Sequence, residues 1–275
     1  MLRSLYSGIS GMRGFQTKLD VIGNNISNVN TVGFKGSRVM FQDILSQTIS
    51  GVSAPTDEKG GVNAKQVGLG STISAIDTIH SGGSAMTTGM VTDLRINGDG
   101  FFVVSADADG ENAFLTRAGN FTIDANRNLV NADGMFVLGA DGAPIQLEEE
   151  VTAFSISQNG QFIAVNADGT SETLDTQIGV AKITNPSGLE KVGGSLYRLT
   201  PNAQAEAESV LDIIGAPADA ETGTGSIVSG QLEMSNVDLT GEFTEMIVAQ
   251  RGFQANSRII TTSDEILQEV VNLKR

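Results

Sequence analysis

Apolar side chains recur at seven-residue intervals at both ends of this chain, and almost nowhere between. In the C-terminal stretch around residues 233–275, one column of this kind comprises Leu232, Leu239, Met246, Phe253, Ile260 and Leu267. This spacing predicts a helix of about 30 residues that contributes to a coiled-coil seam. Residues 236–240 mark its expected start, because Asn, Asp and Thr side chains there can accept hydrogen bonds from free backbone N–H groups.

The first 29 residues carry a weaker version of the same pattern. Its columns contain Leu2, Leu5, Ile9, Met12, Leu19 and Ile26, with Gln16 and Gly23 as gaps. Four glycines, at positions 8, 11, 14 and 23, each cost about 1 kcal/mol in a helix interior, so this helix should depend on packing for its stability. Because the chain between the two ends lacks helical periodicity, the terminal helices are expected to pack on each other. The alternative is that both are ordinary core helices of one globule.

The central part of the chain has the pattern of β-hairpins. Short apolar runs are separated by glycine-bearing turns, and Asp-Gly pairs allow the positive φ that tight hairpins require. Five such turns share one form: Asn97–Gly100, Asp107–Gly110, Asn131–Gly134, Gly139–Gly142 and Asn166–Gly169. Residues 42–70 are rich in Ser, Gly and Thr and contain Pro55, which indicates a connecting arm.

The expected fold is therefore α+β and mainly β. It has three parts: a discontinuous helical coiled-coil domain made of residues 1–35 and 236–275, a connecting arm of 36–70 with 226–235, and a β-rich outer domain of hairpins over 71–225.

Composition and motifs argue against several classes of function. The net charge of −15 disfavours nucleic acid or an anionic membrane surface as a partner. Cysteine is absent and His80 is the only histidine, so thiolate and histidine-based metal sites are excluded. Glycine pairs at 68–70 and 223–225 lack the third glycine of a dinucleotide loop, and the sequence after Asp107 lacks the later ligands of a calcium loop. We therefore assign no catalytic, cofactor-binding or metal-binding residue.

Both ends of the chain carry longer motifs. The run from Leu19 to Lys35, LDVIGNNISNVNTVGFK, resembles the N-terminal signature of the bacterial flagellar rod and hook protein family. The runs 235–239 and 246–251, followed by Ile266 and Leu267, resemble the other end of the same family. The positions that carry the resemblance are Asn24, Asn25, Asn28, Gly33, Phe34, Asn236, Gln250 and Arg251.

The resemblance implies a structural protein of the flagellum and not an enzyme. Such a subunit would form a tubular homopolymer and contact the adjoining axial proteins: the distal rod, hook cap and hook–filament junction proteins. It would pass through the flagellar type III export apparatus without a cleaved signal peptide and function extracellularly, in the hook or basal body. The terminal helices would supply the assembly seam, formed by Leu5, Ile9, Met12, Leu19 and Ile26 with Met246, Phe253, Ile260 and Leu267.

Hook and rod proteins share these signatures, so the choice between them depends on other features. Residues 246–254 and 271–274 look closer to hook proteins, which favours the flexible hook that joins rod to filament and transmits torque. The length of 275 residues favours the alternative, a distal rod subunit, because hook proteins often carry an additional outer domain. In the hook interpretation, the arm at 42–70 supplies flexibility. A further alternative is an extracellular β-rich binding module or enzyme, but the lack of Trp disfavours carbohydrate binding.

Overall fold

The computed structural model describes residues 2–55, 60–107, 110, 112–148, 151–166, 170–205, 209–219 and 222–273. Its contacts divide the chain into two compact units. The helical unit consists of Met1–Ser27, Ser37–Thr78 and Asp238–Arg275. The β unit consists of Asn28–Gly36 and Ile79–Val237. The chain therefore passes from one unit to the other four times.

Two long α-helices dominate the helical unit. Helix α1 spans Leu2–Ser27 and helix α2 spans Leu239–Asn272. They pack on each other, which confirms the predicted helical pairing at the chain ends. Helix α2 begins within the predicted start region 236–240. The Asp238 side chain accepts a hydrogen bond from the Thr240 N–H and caps the first turn. Leu232, the first member of the predicted apolar column, lies in a β-strand instead.

Two pairs of antiparallel strands lie between residues 37 and 78 of the helical unit. Strand β1 (Ser37–Asp43) pairs with β4 (Ser71–Thr78), and β2 (Ser46–Ser50) pairs with β3 (Lys65–Gly68). The described part of the arm expected at 36–70 thus contains hydrogen-bonded strands, and their pairing extends to Thr78; residues 56–59 lie outside the described residues. The contacts place residues 226–235, expected in the same arm, in the β unit.

The β unit consists of short antiparallel strands. They are β5 (Ala85–Thr87), β6 (Leu94–Asn97), β7 (Phe101–Ser105), β8 (Ala113–Thr116), β9 (Thr122–Ile123), β10 (Leu129–Val130), β11 (Phe136–Val137), β12 (Val151–Ile156), β13 (Gln161–Asn166), β14 (Ser171–Gln177), β15 (Val180–Ala181), β16 (Glu190–Gly193), β17 (Leu196–Arg198), β18 (Ile214–Gly215), β19 (Ser226–Ser229) and β20 (Gln231–Glu233). Two short 3-10 helices, Pro186–Gly188 and Val210–Ile213, lie between strands.

Strand β7 is the centre of the β unit, and every one of its residues is buried. It lies within a sheet whose order is β16, β17, β8, β7, β11, β10, β9, and β15 joins β7 to β18. Strands β12, β13 and β14 form a separate sheet, while β6 pairs with β19 and β5 with β20. Side chains on β7 alternate between two cores: Phe102 and Val104 belong to one, and Phe101 and Val103 to the other.

Glycine turns connect these strands as the sequence predicts. In the turns that end at Gly134 and Gly142, φ is 81° and 78°, and each glycine N–H donates to the carbonyl oxygen three residues earlier. Residues 108, 109 and 167–169, in two of the other predicted turns, lie outside the described residues. Of the two described long helices, neither is apolar enough to cross a membrane. Across the described residues, no three His, Asp or Glu side chains converge in a metal-binding arrangement.

Candidate assembly surface and signature residues

Helices α1 and α2 approach each other closely at glycine residues. A Cβ atom added to Gly11 would lie 2.9 Å from the Nδ2 atom of Asn256, and one added to Gly252 would lie 2.6 Å from Cζ of Phe15. Real Cβ atoms do not come so close to other heavy atoms, so a larger residue at either position would force the neighbouring side chain to move. The helix glycines therefore have a packing role that offsets their propensity cost. The sequence alone indicates only the propensity cost of these glycines and not the helix contact that they allow.

The predicted seam residues flank this close contact. Seven of the nine seam side chains are half-buried in the single chain: Leu5, Met12, Leu19, Ile26, Met246, Ile260 and Leu267. Ile9 and Phe253 are 38% and 36% exposed. The buried residues of the two helices are mainly small or polar: Gly8, Gly11, Gly14, Ile22, Asn25, Ala249 and Ser263. Small residues face the neighbouring helix because they allow the two backbones to approach.

Seven further large apolar side chains of α2 are exposed to solvent. We call them the exposed apolar residues of α2: Phe243, Ile247, Val248, Ile259, Ile266, Val270 and Val271. Ile247 and Val248 are each 59% exposed. Seven exposed large apolar residues on one helix, spread around more than one side of it, indicate that α2 has more than one neighbour in an assembly.

The signature residue Asn25 connects three elements of the helical unit through hydrogen bonds. It is 2% exposed, and its Oδ1 atom accepts a hydrogen bond from the Ser37 N–H at 3.0 Å. Its Nδ2 group donates to the Ser37 carbonyl at 2.8 Å and to Oε1 of Glu242, in the first turn of α2, at 2.9 Å. One amide thus links the end of α1, the start of β1 and the start of α2.

Gly33 and Phe34 belong to the segment 28–36 that enters the β unit. Gly33 has a φ of 67°, and its N–H donates to the Glu233 carbonyl at 2.8 Å. A Cβ atom here would lie 2.5 Å from the backbone nitrogen of Ala118, so both conformation and space require glycine. The Lys191 Nζ atom lies over the Phe34 ring, 5.1 Å from its centroid, in the geometry of a cation–π contact.

Asn236 lies near the C-terminal end of the β unit, just before the chain enters α2. Its Oδ1 atom accepts from the Gly36 N–H at 2.8 Å, and its Nδ2 group donates to the carbonyl of Ile79 at 2.8 Å. Nδ2 also lies 3.0 Å from the Ser81 hydroxyl. The asparagines at 25 and 236 therefore both fix the backbone where the chain leaves one unit for the other.

The remaining signature residues have more exposed positions. Asn28 accepts a hydrogen bond from the Thr31 hydroxyl at 3.1 Å, within the turn that follows α1. Asn24 and Gln250 are exposed on their helices. Arg251 is also exposed, and its Nη1 group lies 3.5 Å from Oε1 of Gln254.

A buried ion cluster lies at the point where both chain ends join the β unit. Lys35 and Glu233 are 0% and 2% exposed, and Nζ of Lys35 lies 2.6 Å from Oε1 of Glu233. Nη1 of Arg117 lies 3.1 Å from Oε2 of the same carboxylate. We refer to Lys35, Arg117 and Glu233 as the ion cluster. No local sequence pattern indicates it, because Lys35 and Glu233 are 198 residues apart.

The ion cluster perturbs the groups around it. Burial alone would raise the pKa of the Glu233 carboxyl, but Arg117 and Lys35 outweigh this effect and hold its pKa below the usual range. Burial lowers the pKa of the Lys35 ammonium, against the attraction of Glu233. Burial, and then the charges of Lys35, Lys191 and Arg117, lower the pKa of His80 from 6.5 to about 4. His80 is therefore neutral at pH 7.

Comparisons with known proteins match both ends and part of the centre of the chain. Residues 5–35 match the family model for flagella basal body rod proteins, and residues 228–273 match that for the C-terminal region of flagellar basal body rod FlgEFG proteins. Residues 95–164 match the D1 domain of flagellar hook proteins FlgE/F/G.

Full-length relatives include both rod and hook proteins. The chain is 54% identical to the flagellar basal-body rod protein FlgG of Bacillus subtilis over 275 residues, which covers all of both chains. It is 39% identical to FlgG of Borreliella burgdorferi over 278 residues, again with full coverage of both. It is 30% identical to the flagellar hook protein FlgE of the same organism, over an alignment of 456 residues that also covers all of both chains.

Proposed function

The chain belongs to the bacterial flagellar rod and hook protein family, and on this premise we propose that it is a subunit of the distal rod in the flagellar basal body. It is an axial structural protein of the flagellum. The observation that carries the rod assignment is the 54% identity to a rod protein across the whole of both chains.

Chain length supports rod over hook. Alignment with two FlgG rod proteins needs 275 and 278 positions, close to the length of this chain. Alignment with the FlgE hook protein needs 456 positions, so that relative contains long segments with no counterpart here. The sequences of residues 246–254 and 271–274 favour the hook, but the comparisons support the rod alternative better.

The arm also argues against the hook interpretation. That interpretation placed flexibility in residues 42–70, as in a glycine-rich linker. Strands β1 and β4, and β2 and β3, instead form antiparallel ladders along this stretch. Backbone hydrogen bonds restrict such a ladder more than a linker, so the arm suits a rigid tube.

Self-assembly through the helices accounts for the exposed apolar residues of α2. Its apolar side chains would be buried against other copies of the chain or against adjoining axial proteins, which would remove them from water. In this proposal α1 and α2 form the inner wall of the tube, and the β unit forms the outer wall. The protein acts as a building block after export through the flagellar type III apparatus and catalyses no reaction.

Deletion of the gene in its own organism tests the proposal. We expect basal bodies that lack the distal rod and carry neither hooks nor filaments when viewed by electron microscopy. Expression of the intact chain from a plasmid should restore all three. Complete rods without hooks in the deletion strain would contradict the rod assignment and favour the hook.

A further inference from the structure

The Glu233 side chain connects three distant segments of the β unit. Its Oε1 atom accepts hydrogen bonds from Lys35 Nζ at 2.6 Å and from the Gly83 N–H at 2.9 Å, and its Oε2 atom accepts from Arg117 Nη1 at 3.1 Å. Its backbone carbonyl accepts from the Gly33 N–H at 2.8 Å. These partners are 116, 150 and about 200 residues away along the chain. The side chain therefore joins segments that only the complete fold brings together.

Each charge in the ion cluster depends on the others. Lys35 Nζ also donates to the Ser81 carbonyl at 2.7 Å, and Arg117 Nη2 donates to the Gly98 carbonyl at 2.9 Å. Both cations are nearly inaccessible to water, so the carboxylate is what compensates their charge. Removal of one member of a buried ion group is strongly destabilising, because the other charges stay buried without compensation. Loss of Glu233 would leave two such cations.

Aromatic rings shield the cluster. The guanidinium carbon of Arg117 lies 5.3 Å from the centroid of the Phe101 ring, and the His80 ring makes edge contacts with Phe101 and Tyr197 at 5.6 and 5.3 Å. Phe101 begins the central strand β7 and is itself buried. The ion cluster is thus part of the core around β7.

We propose that Glu233 is a positioning residue that makes folding of the β unit conditional on the docking of residues 28–36. Under this proposal residues 79–237 are not an autonomous domain. The β unit closes only when the segment that follows α1 and the strand that precedes α2 have both reached it. The folded β unit then requires both of the segments that connect it to the helices along the chain.

Hydrogen exchange on the unmodified full-length chain gives a first test. The amides of Gly33 and Gly36, which donate to Glu233 and Asn236, should exchange at the same low rate as the core amides of β7. A common rate means that segment and core open in one step. The proposal is overturned if Gly33 and Gly36 exchange at least tenfold faster than β7.

Substitutions provide a second test with a built-in rescue. Glu233→Gln should increase exchange of β7 amides by about 100-fold, since it leaves two uncompensated cations. Lys35→Met should increase it less, because a one-to-one Arg117–Glu233 pair remains. The double variant Lys35→Met/Glu233→Gln should exchange more slowly than Glu233→Gln alone, as it removes one of the stranded cations. If the two side chains acted only by filling space, β7 amides in the double variant would exchange at least as fast as in the single variant with the faster exchange.

Glu190→Gln is the matched control. Glu190 is also on a strand of the β unit and lies 4.0 Å from Arg198, but both side chains are largely exposed. Exposed pairs contribute little, so this change should alter β7 exchange by no more than about twofold. Equal effects of the changes at 190 and 233 would refute the proposal. If Glu233→Gln does not fold, the comparison of Lys35→Met with Glu190→Gln still decides, and equal exchange in those two variants would also refute it.

Discussion

The close approach of α1 and α2 predicts opposite outcomes for the same substitution at two helix glycines. Gly23→Ala places a methyl group where no atom lies within 4 Å, so it should gain the helix propensity of alanine, about 1 kcal/mol. Gly252→Ala gains the same propensity but places its Cβ 2.6 to 2.9 Å from three atoms of the Phe15 ring. That ring cannot swing away freely, because it packs against Phe41 with centroids 5.8 Å apart.

The change in the free energy of unfolding caused by Gly252→Ala is the sum of the propensity gain and the cost of overpacking. Overpacking of a filled interface typically costs about 1–3 kcal/mol, which cancels or exceeds the propensity gain of about 1 kcal/mol. We therefore expect Gly252→Ala to be neutral to about 2 kcal/mol less stable than the parent chain. The two variants should differ by about 1–3 kcal/mol in the free energy of unfolding of the helical unit.

Urea unfolding followed by circular dichroism at 222 nm measures this difference, because α1 and α2 supply the helical signal. Hydrogen exchange of α2 amides gives an independent value for the same unit. Equal stabilisation by both substitutions would refute the close approach of the helices at Gly252. It would mean that the glycines carry only a propensity cost.

Three further predictions concern single residues and pH. Gly33→Ala should destabilise the β unit by about 2 kcal/mol or more, measured by urea unfolding, because its Cβ would collide with the backbone of Ala118. Ile260→Asp should prevent tubes from forming while the β unit stays folded, judged by electron microscopy and proteolysis, because it places a carboxylate in the apolar helix contact. Between pH 6.5 and about 4 the unfolded chain binds a proton at His80 that the folded chain does not, so stability should fall as pH falls. The slope should stay below about 1.4 kcal/mol per pH unit, since the ring is only partly buried, and His80→Gln should flatten it.

Sequence periodicity is a good guide to the elements of this fold because local spacing determines them. The seven-residue columns predict both α1 and α2, and the Asp-Gly pairs predict turns such as those at Gly134 and Gly142. The start of α2 follows from the capping side chains predicted at 236–240, of which Asp238 is the N-cap. The apolar column alone would place the start too early, because it continues back to Leu232.

Contacts between distant segments could not be predicted in this way. The buried face of α1 is set by glycines and Asn25, which a search for apolar columns passes over. The ion cluster joins Lys35 and Glu233 across 198 residues, and nothing near either residue indicates the other. Side chains that act through tertiary contacts need the fold before their partners can be identified.

Electron cryomicroscopy of intact basal bodies with attached hooks would locate this chain within the flagellum. We expect copies of this chain, identified by side-chain density for the ion cluster and the Gly252–Phe15 contact, to form the rod segment next to the hook. Helices α1 and α2 should line its channel. Copies of the chain in the curved hook, with a different protein in that rod segment, would refute the assignment to the distal rod.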